Sequence, residues 1–230
     1  MTALRFPRGL YGVTPEWDDT DKLLEAVSLA AAGGMSALQL RRKTLPEAER
    51  AAQAKALAPL CRELGVVFLI NDHWRLALDV GADGVHLGRD DTDPVQVRKE
   101  AGPDLLIGVS CYDELDRARR LLAAEPDYIA FGAVFPSPTK PHAVRAPLSL
   151  LTQARALAQE HIQPRPAVAA IGGITPNNAA IVAKSGADCI AVITALFEAP
   201  DITAAAQACA APFLTPPTRS WRVPFNSSQP

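Results

Sequence analysis

The chain has 230 residues, 48% hydrophobic and 21% charged, with a formal net charge of −2. That balance suits one globular domain with a large core and provides no basic field for nucleic acid or an anionic membrane. No apolar run approaches the roughly 18 residues of a membrane helix, and MTALRFPRGLYGVT lacks the blocks of a signal peptide, so export is not expected.

In chain order, strands and helices alternate. Leu10–Val13 reads as the first strand, and a helix follows over Asp21–Ala32, capped by Thr20 or Asp21 and ended by Gly33–Gly34. Ala37–Leu40 is the second strand. An alanine-rich helix runs from Pro46, a residue suited to a first turn, to Glu63. Val66–Ile70 is apolar throughout, as strands of buried parallel sheets are. Helix Trp74–Val80, strand Gly84–Leu87, helix Pro94–Ala101 and strand Leu105–Val109 come next. Helix Tyr112–Ala124, strand Tyr128–Phe131, a proline-containing loop and helix Leu148–Gln159 follow. The chain then passes through strand Ala167–Ile171, a helix over 177–185, strand Cys189–Ile193 and helix Thr203–Ala210. Related joints lead into four of the strands: GGMSALQL, GADGVHLG, EPDYIAFG and GADCIAVI.

Alternation of this kind favours an α/β fold with a parallel sheet and helices outside it. Eight units predict a single-domain (β/α)₈ TIM barrel over residues 1–211. Residues 212–230, with five prolines and no periodicity, read as an extended or disordered tail on which Trp221 and Phe225 could dock. The four cysteines, Cys61, Cys111, Cys189 and Cys209, show no metal-ligand rhythm. They read as buried structural thiols, compatible with a reducing cytoplasm. Cys111 lies nearer the fragments described next, but without a histidine partner it is a poor nucleophile.

Polar fragments follow the strands, which in a barrel places them at the C-terminal rim where (β/α)₈ enzymes keep their chemistry. In QLRRK, Gln39, Arg41 and Lys43 share one face of an extended segment and Leu40 and Arg42 the other. Two cations and an amide suit a diphosphate. Asp72 and Asp91 follow neighbouring strands. With several waters and substrate phosphate oxygens they would complete a Mg²⁺ site, and Asp90 could stand in for Asp91. Asn71 adds a neutral donor and acceptor. Ser110 follows the fifth strand. SPTK supplies Ser137, Thr139 and Lys140 on a loop able to close over ligands. Gly172–Gly173, with Thr175 as a helix cap, and Ile193–Thr194 form a phosphate cup after the seventh and eighth strands. His73, His86, His142 and His161 show no acidic pairing. The rim thus points to transfer of a group activated by diphosphate.

The motifs LYGVT, QLRRK, INDHWRLALDVGADGVHLGRDD, IGVS, FGAVFPSPTKPHA, AIGGITPNN and GADCIAVITALF, in this order, resemble the thiamine phosphate synthase family over roughly residues 9–200. The resemblance implies condensation of a hydroxymethylpyrimidine diphosphate with a hydroxyethylthiazole phosphate through a dissociative, Mg²⁺-assisted displacement. It implies substrate binding by Gln39, Leu40, Arg41, Arg42, Lys43, Asn71, Ser110, Ser137, Thr139, Lys140, Gly173, Ile193 and Thr194. Catalysis would fall to Arg41, Lys43, Ser110 and Lys140, and Mg²⁺ binding to Asp72 and Asp91.

Partners are expected to be small molecules, with self-association allowed. Arg89 stands where the family usually has glutamine. Ser137 and Thr194 exchange the hydroxyl types usual at their positions, and Pro15 replaces a common aspartate. The rivals are a thiazole tautomerase, whose histidine would fall near Tyr112, and a non-catalytic precursor-binding paralogue, which would have lost these ligands.

Overall fold

The short apolar strands close on one another. In the computed structural model, which describes residues 4–136, 144–161 and 164–214, they form a closed parallel barrel in which each strand pairs with the next and the last with the first. The order is β1 Gly9–Val13, α1 Thr20–Ala32, β2 Met35–Leu40, α2 Glu47–Leu64, β3 Val67–Asn71, α3 Trp74–Val80, β4 Gly84–Leu87 and α4 Pro94–Ala101. It continues with β5 Leu106–Tyr112, α5 Leu115–Leu121, β6 Tyr128–Phe131, α6 Leu148–Gln159, β7 Ala167–Ile171, α7 Ala179–Lys184, β8 Cys189–Val192, α8 Thr194–Phe197 and α9 Ile202–Ala210. No helix among the described residues is long and apolar enough to cross a membrane.

Two apolar layers hold this arrangement. One lies between strands and helices and includes Leu38, Phe68, Ile107, Phe131 and Ile190. The other fills the barrel interior, where Phe6, Tyr11 and Tyr128 pack among small residues such as Ala37, Ala169 and Ala191. Phe6 and Tyr128 ring centroids are 4.3 Å apart, and those of Tyr11 and Tyr128 are 5.7 Å apart edge to face, geometries worth about 0.5–1.5 kcal/mol beyond burial. Gly108 makes this possible, because a Cβ there would overlap the Tyr128 ring.

The repeated joints now have a physical meaning. Asp83, Asp127 and Asp188 precede β4, β6 and β8, and each carboxylate accepts a backbone N–H from the preceding strand: Phe68 at 2.7 Å, Ile107 at 2.7 Å and Val168 at 3.0 Å. In the first joint Ser36 serves instead, donating to the Leu10 carbonyl at 3.2 Å. Each stitch fixes the register of a strand pair at the bottom of the barrel. Register matters because a slip of one residue would turn every inward side chain outward.

Several boundaries differ from the sequence expectation. Asp19, not Thr20 or Asp21, caps α1 by accepting the Lys22 N–H at 3.0 Å. β5 runs on to Tyr112, so Ser110 lies within the strand. α5 is accordingly shorter, and a separate 3₁₀ turn covers Leu122–Ala124. A single turn of helix, α8, intervenes between β8 and α9. Pro212 and Phe213 belong to a 3₁₀ turn, and Phe213 packs against the core, so the folded unit extends past 211. Trp221 and Phe225 lie outside the described residues.

Candidate active site

The end of β2 separates the QLRRK side chains as strand alternation requires. Gln39 is buried and its Nε2 donates to the Tyr11 hydroxyl at 2.5 Å. The Arg41 N–H donates to Thr14 Oγ1 at 2.9 Å, and its guanidinium lies 3.3 Å from Glu16. The same carboxylate accepts the Lys43 N–H at 3.2 Å, so Glu16 shapes the cationic turn. Leu40 points elsewhere, while Arg42 also reaches this carboxylate, its Nε 3.4 Å from Glu16. Leu40 enters the core between sheet and helices, and Arg42 is buried against the Trp17 carbonyl and Asp18. The Glu16 carboxylate thus gathers Arg41, Arg42 and Lys43, with Leu40 apart from them.

Asp72 and Asp91 meet. Asp72 follows β3 in a left-handed conformation (φ 63°), unusual for a non-glycine residue. Its N–H donates to the His86 carbonyl at 2.8 Å, tying this turn to β4. Asp91 accepts the Gly88 N–H at 2.6 Å, and of the two aspartates in GRDD it is the one that acts on the Asp72 carboxyl. Burial, and then Asp91 beside it, push the Asp72 carboxyl up to about 6, while Lys43 and Arg41 pull it down. Asp91, Lys43 and Arg41 thus all act on the Asp72 carboxyl at the rim. Two adjoining carboxylates need a proton or a cation between them. Among the described residues, no group of three or more His, Cys, Asp or Glu could hold a metal. A pair fits Mg²⁺, which takes one or two carboxylates and completes its shell with water and phosphate oxygens.

Below the rim runs a polar chain that residue spacing did not reveal. The Tyr11 and Tyr128 hydroxyls are 2.8 Å apart, His86 Nδ1 is 2.7 Å from Tyr128 Oη, and His86 Nε2 is 2.8 Å from Ser110 Oγ. With Gln39 bound to Tyr11, the chain spans the barrel from β2 to β5. Burial pushes both tyrosine hydroxyls above their ordinary range, so they stay protonated at neutral pH. This network orients Gln39 at one end and Ser110 at the other. Asn71 is buried at the end of β3, in register with His86. The tyrosine of LYGVT and the histidine of GVHL are inward-facing strand residues, and that periodicity was the signal available in the sequence.

On the far side of the rim, Gly172 (φ 104°) and Gly173 (φ 63°) both need the left-handed region. A Cβ at Gly172 would lie 2.5 Å from the Ala133 Cβ, and one at Gly173 would overlap the Pro136 carbonyl. Phe135 donates its N–H to the Gly172 carbonyl at 3.0 Å, which joins the loops after β6 and β7. Asn178, rather than Thr175, organises the turn. It accepts the Thr175 N–H at 2.8 Å and donates to the Gly173 carbonyl at 3.0 Å, and α7 begins only at Ala179. Ile193 precedes α8 and Thr194 opens it. Loops after the seventh and eighth strands with a short extra helix are the usual phosphate site of such barrels.

Ser137, Thr139, Lys140 and His142 lie outside the described residues. All four cysteines are free and buried, and burial pushes the Cys111 thiol up to about 12, which leaves it unreactive.

Comparison with known proteins decides the family. A family described as thiamine monophosphate synthase matches residues 10–196. The chain belongs to the thiamine monophosphate synthase family. Membership makes it an enzyme, a transferase of thiamine biosynthesis. It is 70% identical over 217 residues to a thiamine-phosphate synthase of Bordetella pertussis, covering 94% of this chain and 100% of that protein. It is 50% identical over 201 residues to one of Thiobacillus denitrificans, covering 87% and 92%. In structure it is similar to the thiamine phosphate pyrophosphorylase of Pyrococcus furiosus, with a TM-score of 0.76 and 34% identity over 91% of this chain and 96% of that one.

Proposed function

We propose that the chain condenses a hydroxymethylpyrimidine diphosphate with a hydroxyethylthiazole phosphate to give thiamine phosphate and diphosphate. The carrying observation is the convergence of Arg41 and Lys43 with the Asp72–Asp91 pair. In the reaction the bond from the pyrimidine methylene to the diphosphate oxygen breaks, and its electron pair leaves with diphosphate. The thiazole nitrogen then gives its lone pair to the methylene carbon. Arg41 and Lys43 meet the charge that develops on the leaving group, and Lys140 adds a third cation. Ser110, held by His86, stands near the departing diphosphate. Gln39 and Asn71 orient the pyrimidine, while Leu40 and Arg42 support the turn from behind. Ser137, Thr139, Gly173, Ile193 and Thr194 hold the thiazole phosphate in line for attack. Mg²⁺ bound by Asp72 and Asp91 would supply further neutralisation of the diphosphate oxygens. We place the reaction in the cytoplasm, in keeping with four free thiols.

The test combines purified protein with both substrates, with and without Mg²⁺, and detects thiamine phosphate by mass and diphosphate by release. Both products should require both substrates and the metal. Asp91→Ala should lower metal-dependent turnover by about 100-fold or more, equivalent to about 2.7 kcal/mol, while remaining folded. Full activity in that variant would remove Asp91 from the metal role. No product from folded, metal-loaded protein would favour a tautomerase or a binding paralogue.

A further inference from the structure

The loop that carries Asp91 is pinned from two sides by residues no part of the reaction calls for. Gly88 and Arg89 present successive backbone N–H groups. The first donates to the Asp91 carboxylate at 2.6 Å and the second to the Tyr112 hydroxyl at 3.2 Å. The Arg89 guanidinium then folds back over the Tyr112 ring, 4.7 Å from its centroid, and pairs with Glu114. A second arginine, Arg117 of α5, lies 5.8 Å from that ring centroid. Its Nε donates to the Ser110 carbonyl at 2.8 Å and its Nη2 to the Gly88 carbonyl at 3.3 Å. Tyr112 reaches this position because the chain kinks there. Its φ is 56°, and the β5–β6 register shifts between Ser110 and Tyr112. A bulge of this kind re-aims a side chain at the end of a strand.

We propose that Arg89, Tyr112, Glu114 and Arg117 form a clamp that positions Asp91 relative to Ser110, with Arg89 as its positioning residue, so that the clamp sets the affinity of the carboxylate pair for a divalent cation. The inference rests on the reading of Asp72 and Asp91 as a metal site. Its physical basis is that backbone groups on both sides of Gly88 have assigned partners: N–H groups held by Asp91 and Tyr112, and a carbonyl held by Arg117. Ser110 is tied to the same arginine through its own carbonyl. Movement of the loop must therefore break bonds to β5. The Arg89–Glu114 pair is about half exposed, so it contributes little to global stability. Its effect is local, on where Asp91 rests. Glutamine at 89 keeps the N–H bond to Tyr112 but has no cation to stack on the ring or to pair with Glu114.

The test uses the full chain and two readouts besides turnover. Mn²⁺ binding in the presence of inorganic diphosphate is titrated by calorimetry, and amide hydrogen exchange of the 88–93 loop is followed in metal-free protein. Arg89→Gln and Tyr112→Phe should each weaken Mn²⁺ binding by about tenfold, the order expected for partners that orient a ligand, and speed exchange in that loop. Turnover at saturating metal should fall much less than affinity, and Arg89→Lys should recover part of the loss. Asp91→Asn separates the two ideas. If it loses binding while Arg89→Gln and Tyr112→Phe bind as the wild type does, the clamp is overturned and the metal site stands. If Asp91→Asn binds Mn²⁺ unchanged, the metal reading fails and takes the clamp with it. Should one variant fail to fold, the other carries the test alone.

Discussion

Replacing Asp188 with asparagine removes one negative charge from the bottom of the barrel without changing side-chain size. Asp188 is fully buried and Arg165 is 1% exposed, and their contacts are bidentate at 2.8 and 2.9 Å. Arg155 adds a third contact at 2.7 Å. In the variant the Arg165 guanidinium stays buried without its counter-charge, and breaking a buried pair in this way costs about 3–5 kcal/mol. A domain of this size loses about 2–4 °C in Tm per kcal/mol, so thermal unfolding followed by circular dichroism should fall by about 6–20 °C.

The effect also has a pH signature. Burial acts to raise the Asp188 carboxyl, but Arg165, the Val168 N–H and Arg155 outweigh it and hold the group below its ordinary value. A depressed carboxylate stabilises the fold above its unfolded pKa, about 3.9, and loses that contribution as pH falls through the lower folded value. The gap in Tm between wild type and Asp188→Asn should therefore be full at neutral pH and close below about pH 4. Adding Arg165→Met should recover much of the loss, since the orphaned charge is then gone. A Tm for Asp188→Asn within about 2 °C of wild type would refute the reasoning, because it would mean that less than about 1 kcal/mol rests on this stitch.

Gly173→Ala should raise KM for the thiazole phosphate by about tenfold or more, since a left-handed φ alone costs alanine roughly 1–2 kcal/mol and the new Cβ overlaps the Pro136 carbonyl. Steady-state kinetics with each substrate varied in turn check it, and an unchanged KM would exclude the glycine from the phosphate cup. Tyr128→Phe deletes the hydroxyl shared by Tyr11 and His86, at a cost of about 1–3 kcal/mol readable by urea unfolding. A variant as stable as wild type would count against the buried chain as a structural element.

Much of the barrel was legible because its signals are local. Gly84–Leu87, Tyr128–Phe131 and Ala167–Ile171 are short apolar runs bounded by turn residues, and each forms a strand with the expected bounds. Boundaries slipped where a competing side chain took over a helix end, as Asp19 and Asn178 did, and where β5 continued through its bulge. At the rim, alternation along QLRRK predicted that Leu40 and Arg42 would face away from Gln39, Arg41 and Lys43; Leu40 does, but Arg42 shares the Glu16 carboxylate with Arg41.

The repeated joints carried a message only half readable in one dimension. The acidic residue before β4, β6 and β8 is visible in GADG, EPDY and GADC, but its acceptor role on the preceding strand appears only once the strands are paired. Strand periodicity, turn residues and the family motifs by themselves determined an eight-stranded α/β barrel with polar and charged groups at its rim, since these depend on neighbours a few residues apart. Tertiary structure alone decided that Asp91 rather than Asp90 acts on Asp72, that Tyr11, Tyr128, His86 and Ser110 make one chain, and that Arg89 closes on Tyr112. The hydroxyl chain joins residues up to 117 positions apart. Such contacts form only when β8 closes on β1 and the inward side chains share one interior, a condition no local pattern encodes.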